Sequence, residues 1–152
     1  MRKSLIEIYT DGACSGNQFK NNVGGWGAVL ISGRNRKEIF GGEQNTTNNR
    51  MELKACIMGL KEIKRDDVEI KLYSDSAYIV NCIKQGWYLK WEKNGWKTSK
   101  KEAVENRDLW ESLLGLIRKY EVKFIKVKGH SGIENNEKAD ELANRGMNIQ
   151  LS

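Results

Sequence analysis

The chain of 152 residues contains no proline, a single histidine and only three cysteines. Average usage of proline is about 5%, so its absence here means that turns rest on the 15 glycines and on asparagine, and no native prolyl isomer slows folding. Cys14, Cys56 and Cys82 are odd in number and lack zinc-ligand spacing. That argues against a disulfide scaffold and fits a reducing compartment. No apolar run approaches the ~18 residues of a membrane helix, and Glu7 interrupts any N-terminal signal core. A cytoplasmic, monomeric protein that touches no membrane is expected. The length suits one domain over residues 1–152, with a short tail after about residue 147.

Charge of one sign is in excess. Twenty-six Lys and Arg oppose 20 Asp and Glu, a net +6. Between Lys84 and Lys101 six lysines face Glu92 alone, and Trp87, Trp91 and Trp96 lie among them. A basic patch interleaved with aromatics points to nucleic acid, although a lysine-rich stretch can equally be a solvated loop.

Periodicity supplies the elements. Leu5–Thr10 reads as a strand ending near Asp11-Gly12; Gly24–Ile31 and Glu38–Gly42 form a hairpin across a polar turn. Ala55, Cys56, Met58, Gly59 and Ile63 mark a helix N-capped by Asn48-Asn49. Val68–Tyr73 is a fourth strand, parallel to the first through that crossover. A short helix from Ala77, the basic segment, a strong helix at Leu109–Tyr120, a fifth strand at Val122–Val127 and a last helix through Ala139 and Met147 follow. This order makes an α/β mixed sheet with helices packed on it.

Ligands of such sheets bind beyond the carboxyl ends of parallel strands. Asp11 and Asp75 end the first and fourth strands, so neighbouring strands would hold their Cα atoms about 5 Å apart. Carboxylates that close repel unless one is protonated or a cation lies between them. Taken singly, each residue admits a plainer part. A strand-end Asp serves turns, Glu52 three residues after Asn49 resembles a capping box, and Asp140 suits a helix N-terminus. His130, in Lys128–Gly132, is a lone loop histidine.

Five blocks occur together: Ile8–Cys14, Thr46–Leu53, Tyr73–Ser76, Val127–Gly132 and Asn136–Ala143. In order and spacing they resemble type 1 ribonuclease H over nearly the whole chain, and Asn94–Thr98 is similar to the basic protrusion of bacterial members. The resemblance implies a ribonuclease H-like five-stranded sheet in order 3-2-1-4-5, and Mg²⁺-dependent endonucleolytic cleavage of the RNA strand of an RNA–DNA hybrid. The ends left would be 5′-phosphate and 3′-hydroxyl. It implies that Asp11, Glu52, Asp75 and Asp140 hold two Mg²⁺ ions (with Mn²⁺ a substitute) and that His130 assists proton transfer or product release. Asn17, Asn48 and Asn49 would contact the hybrid and Thr47 a DNA phosphate. The charge count of the basic segment suggests in addition that Trp91, Lys93, Trp96 and Lys97 grip it, although Trp96, after a glycine turn, could serve only to pack the segment onto the core. Three departures stand out. Ala77 replaces a common glutamine, Asn17–Val23 replaces a shorter Pro- and Gly-rich turn, and the stretch between Gly86 and Gly95 is shorter. Two alternatives are a polynucleotidyl transferase of the same superfamily and a non-catalytic binding module. The His130 loop and the basic segment speak against the first. The four carboxylates speak against the second, since a binder of phosphate gains nothing from clustered negative charge.

Overall fold

Alternating burial along β1 (Ser4–Ser15) sends Ile6, Ile8 and Thr10 into the core. β2 (Val23–Ser32) is buried on both faces, which is why its Gly-Gly-Trp-Gly-Ala-Val-Leu-Ile run shows no polar alternation. The coordinates are a computed structural model and describe residues 3–15, 22–129 and 133–151. β3 (Asn35–Gln44) completes the hairpin, turning at Gly33, whose φ is +60°. α1 (Asn48–Lys61) crosses over to β4 (Val68–Ser74), which pairs parallel with β1. Then come α2 (Ala77–Gln85), α3 (Trp87–Asn94), α4 (Arg107–Ile117), β5 (Glu121–Lys126) and α5 (Glu134–Ile149). The sheet order is β3-β2-β1-β4-β5, as expected, with β1–β2 and β2–β3 antiparallel and the two pairs on the other side parallel.

On one face Leu53 and Leu60 of α1 and Trp110, Leu113 and Leu114 of α4 meet Ile8, Ile70, Leu72 and Phe124 of the sheet in the main core. On the other, α5 lies across β1, β2 and β3, with Ala139 and Leu142 against Val29.

Four expectations change. β1 does not end near Asp11 but runs on to Ser15, because β2 keeps pairing with it after β4 has diverged. The cap of α1 is Thr47, whose hydroxyl accepts from the Arg50 amide at 3.2 Å, and Asn48 and Asn49 are the first helical residues. The last helix continues to Ile149, so no tail begins at residue 147. The basic segment is not a plain loop. It contains α3, closed by Gly95 at φ +78°, after which Trp96 folds back, 7% exposed, against Trp91, whose ring also meets Trp110 edge-on.

Candidate active site

The site begins where β1 and β4 part. Their ladder ends at Tyr9 and Tyr73. One step on, the Thr10 hydroxyl donates to the Tyr73 carbonyl at 3.0 Å and holds the strand ends together. Asp11 follows on β1, opposite Gly27 of β2, and Asp75 is the first residue but one beyond Tyr73. Glu52 reaches the same place from α1. A Cβ on Gly12 would lie 2.6 Å from the Glu52 amide nitrogen, so only glycine lets β1 and the helix approach this closely. The Gly12 amide donates to Asp11 Oδ1 at 2.9 Å and Glu52 Oε1 at 3.0 Å, bridging the two carboxylates. Glu52 is therefore not the acidic half of a capping box: its side chain turns to β1 and is 3% exposed. Asp140 is delivered from the other face. Gly27 lets α5 sit so near that a Cβ there would be 2.6 Å from the Ala139 carbonyl oxygen. The next residue of that helix thus stands over the Asp11–Gly27 register.

One oxygen each of Asp11, Glu52 and Asp75 lies within 4.8 Å of the others. Asp140 lines the same cavity of about 410 Å³, together with Gly12, Asn48, Asn49 and Tyr78. Burial, reinforced by the neighbouring Asp75 charge, pushes the Asp11 carboxyl up to about 7. Burial and the Asp11 and Asp75 charges hold Glu52 well above the usual carboxylate range. Glu52 Oε2 is buried and has no hydrogen-bond partner among the described residues. An orphaned carboxylate oxygen beside two further carboxylates is a set of hard donors short of a positive charge, and a small divalent cation such as Mg²⁺ fits it.

The nucleic-acid candidates divide. Asn48 and Asn49 are exposed on the cavity rim. Thr47 is exposed, and while its oxygen caps α1 its O–H remains able to donate. Lys93 and Lys97 are exposed, as are the other four lysines of the segment, and its one acid, Glu92, is held by both terminal nitrogens of Arg118 at 2.9 and 2.7 Å. Trp96 departs from expectation. Burial leaves its ring no face for a base, and Arg107 covers it at 5.3 Å, so it anchors the segment to the core. Half-buried Trp91 packs between Trp96 and Trp110 in the same anchor. Asn17 and His130 lie outside the described residues. Gly129, just before His130, passes so close to Asp75 that a Cβ would come within 2.9 Å of its Oδ2. Sequence reasoning missed Gly12 and Tyr78. A glycine directly after a strand carboxylate was the available signal for the first, and nothing marked the second.

A mixed sheet of this order, with a cluster of carboxylates able to hold a metal where its parallel strands end, defines a protein of the ribonuclease H-like class. Residues 3–148 match the family described as RNase H. The ribonuclease H of Syntrophomonas wolfei is 56% identical over 142 residues, 93% of this chain and 95% of that protein. That of Chlorobaculum parvum is 52% identical over 148 residues, 97% of this chain and 99% of the relative. Among solved structures, LC9-RNase H1, a type 1 RNase H with the type 2 active-site motif, superposes with a TM-score of 0.87 at 30% identity, covering 99% of this chain and 75% of that one. LC11-RNase H1, solved in complex with an RNA/DNA hybrid, shares the fold at a TM-score of 0.68 and 24% identity, over 97% of this chain and 99% of its own. The chain belongs to the ribonuclease H family and is a hydrolytic ribonuclease.

Proposed function

We propose that this enzyme hydrolyses the RNA strand of an RNA–DNA hybrid with two Mg²⁺ ions held by Asp11, Glu52, Asp75 and Asp140. The observation that carries the reading is the carboxylate cluster, three oxygens within 4.8 Å with one buried oxygen unpartnered. When bound, the ions supply the Lewis-acid charge that activates a water and stabilises the leaving 3′-oxygen. Mn²⁺, which takes the same oxygen donors, would substitute.

The chain's own residues do the rest. The Gly12 amide fixes the orientation of Asp11 and Glu52 on the lining of the cavity. Asn48 and Asn49 each offer a donor and an acceptor at its rim, the pair of functions that reads a 2′-hydroxyl in a wide minor groove. Thr47 donates to a DNA phosphate, and Asn17 adds a further contact. Lys93, on α3, and Lys97, just beyond it, meet phosphates away from the scissile bond, which supplies affinity and little sequence preference. Hydrolysis breaks the P–O3′ bond, adds the water oxygen to phosphorus as the 5′-phosphate, and leaves a 3′-oxygen that needs a proton. His130 is the residue assigned to that transfer.

No helix of the described residues is long and apolar enough to cross a membrane. Three free thiols support a reducing, cytoplasmic setting, and the enzyme acts as a monomer. The test is incubation with end-labelled hybrid, duplex RNA and duplex DNA, with and without Mg²⁺. Internal cuts in the RNA of the hybrid alone, dependent on Mg²⁺, are expected. Duplex DNA cut as efficiently as the hybrid would overturn the reading in favour of the transferase class.

A further inference from the structure

The chain has to leave the sheet after Gln44 and begin α1 at Asn48. It does so at Asn45, whose φ of 54° is in the left-handed region. Asparagine tolerates that conformation better than most residues, yet it has to be held there. The last ladder pair of β2 and β3 is Val23 with Gln44, so past the turn the main chain of β2 no longer serves Thr46. The side chain of Asn22 serves it instead. Asn22 Nδ2 donates to the Thr46 carbonyl at 2.7 Å, and its Oδ1 accepts from the Thr46 amide at 2.9 Å. Its own backbone carbonyl accepts from the Asn45 amide at 3.0 Å. The carboxamide thereby acts as an extra peptide unit that extends the hairpin around a corner. Asn22 is 3% and Thr46 4% exposed, and the Thr46 hydroxyl has no partner among the described residues. The backbone bonds to Asn22, not that hydroxyl, locate Thr46.

We infer that Asn22 is a positioning residue for hybrid binding: through Thr46 it fixes the angle at which Thr47, Asn48 and Asn49 meet the substrate. The inference rests on the reading above that those three residues touch the hybrid. Asn45, Thr46 and Thr47 form a rigid joint. Thr47 caps α1, and Asn48 and Asn49 are its first residues, on the rim of the cavity. Glu52 is held independently, by the Gly12 amide on β1. Loosening the joint therefore reaches the rim asparagines and leaves the carboxylate cluster in place.

The test is Asn22→Ala, assayed well below its melting temperature. Hybrid Kd without Mg²⁺, and KM with it, should rise about tenfold, the cost of ordering two rim side chains on binding. Turnover at saturation and the gain in melting temperature on adding Mg²⁺ should match the parent. Should Asn22→Ala fail to fold, Asn22→Ser keeps a polar atom in the pocket, and the same split is read on it. A lower melting temperature with unchanged Kd and KM would make Asn22 merely structural and overturn the inference. So would a fall in turnover or the loss of the Mg²⁺-induced gain. Asn48→Ala with Asn49→Ala separates the two layers. An unchanged KM there removes the underlying reading, whereas a raised KM there with an unchanged KM in Asn22→Ala removes the clamp alone.

Discussion

Replacing Asp11 by Asn should destroy activity and stabilise the metal-free protein. Asparagine keeps an oxygen to accept from the Gly12 amide and removes one of three crowded charges. The size of the gain follows from the carboxyl's rise from its usual 3.8 to about 7. In the unfolded chain the proton has left by pH 5, while in the folded chain it stays until about pH 7. The folded state binds more protons across that window, so stability falls as pH rises from about 4 to 7. Above pH 7 the full difference corresponds to at most ~4 kcal/mol. Because the cost is shared among Asp11, Glu52 and Asp75, removing one charge should return on the order of 2–4 kcal/mol. For a chain of this size that is roughly 5–15 °C in melting temperature.

The assay is thermal unfolding of Asp11→Asn and parent in EDTA from pH 4 to pH 8. The gain should be full at pH 8, shrink to roughly 1–2 kcal/mol at pH 5 and vanish below about pH 4. Added Mg²⁺ should raise the parent's melting temperature at pH 8 by mass action and close much of the gap. A variant no more stable than the parent at pH 8 without metal would refute the reasoning, and so would a gain independent of pH.

Three further outcomes are expected. His130→Ala should slow turnover by about 10–10⁴-fold, the range of a proton-transfer group, while the Mg²⁺-induced rise in melting temperature persists; loss of that rise would make His130 a ligand. Lys93→Ala with Lys97→Ala should raise KM, leave saturated turnover nearly unchanged and flatten the salt dependence of log affinity by roughly 0.7–0.9 per lost contact, and an unchanged slope would return the segment to a solvated surface. Trp96→Ala should cost about 3–5 kcal/mol in chemical denaturation, the price of a cavity left by a buried tryptophan, and a loss below 1 kcal/mol would contradict its burial.

The strands were legible because each carried its own pattern, and the crossover through α1 fixed one parallel pair, β1 with β4; the full sheet order followed only from the family resemblance. Asp11 and Asp75 were legible as neighbours because both read as ending strands that the crossover makes parallel, whereas Glu52 and Asp140 joined them only through the family resemblance. What stayed hidden depended on contacts between distant segments. Asn49 and Glu52 have the spacing of a capping box, yet the glutamate turns to Gly12, 40 residues away along the chain, and no local pattern distinguishes the two destinations. Trp91 and Trp96 look alike beside lysines, and the glycine before Trp96 showed only that it could pack inward; Gly95 does reverse the chain and send that ring into the core. Asn22 sits in a polar stretch where nothing announces a buried side chain.

These features connect the site's chemistry to its construction. Asp11 and Glu52 are held by a neutral donor: among the described residues neither takes part in an ion pair. An arginine placed there would stabilise the fold and also satisfy the oxygens that a cation must find free. The fold instead spends neutral donors on them, above all the single Gly12 amide, which orients two carboxylates while quenching neither. The six lysines between Lys84 and Lys101 are set apart, on and around α3, and among the described residues none of them pairs with Asp11 or Glu52. On the proposed function, that separation of a negative cavity from a positive arm would let the enzyme bind a polyanion along its length and still leave a charge deficit at the point of cleavage. It also explains why Asp11→Asn should gain stability and lose function through the same missing charge.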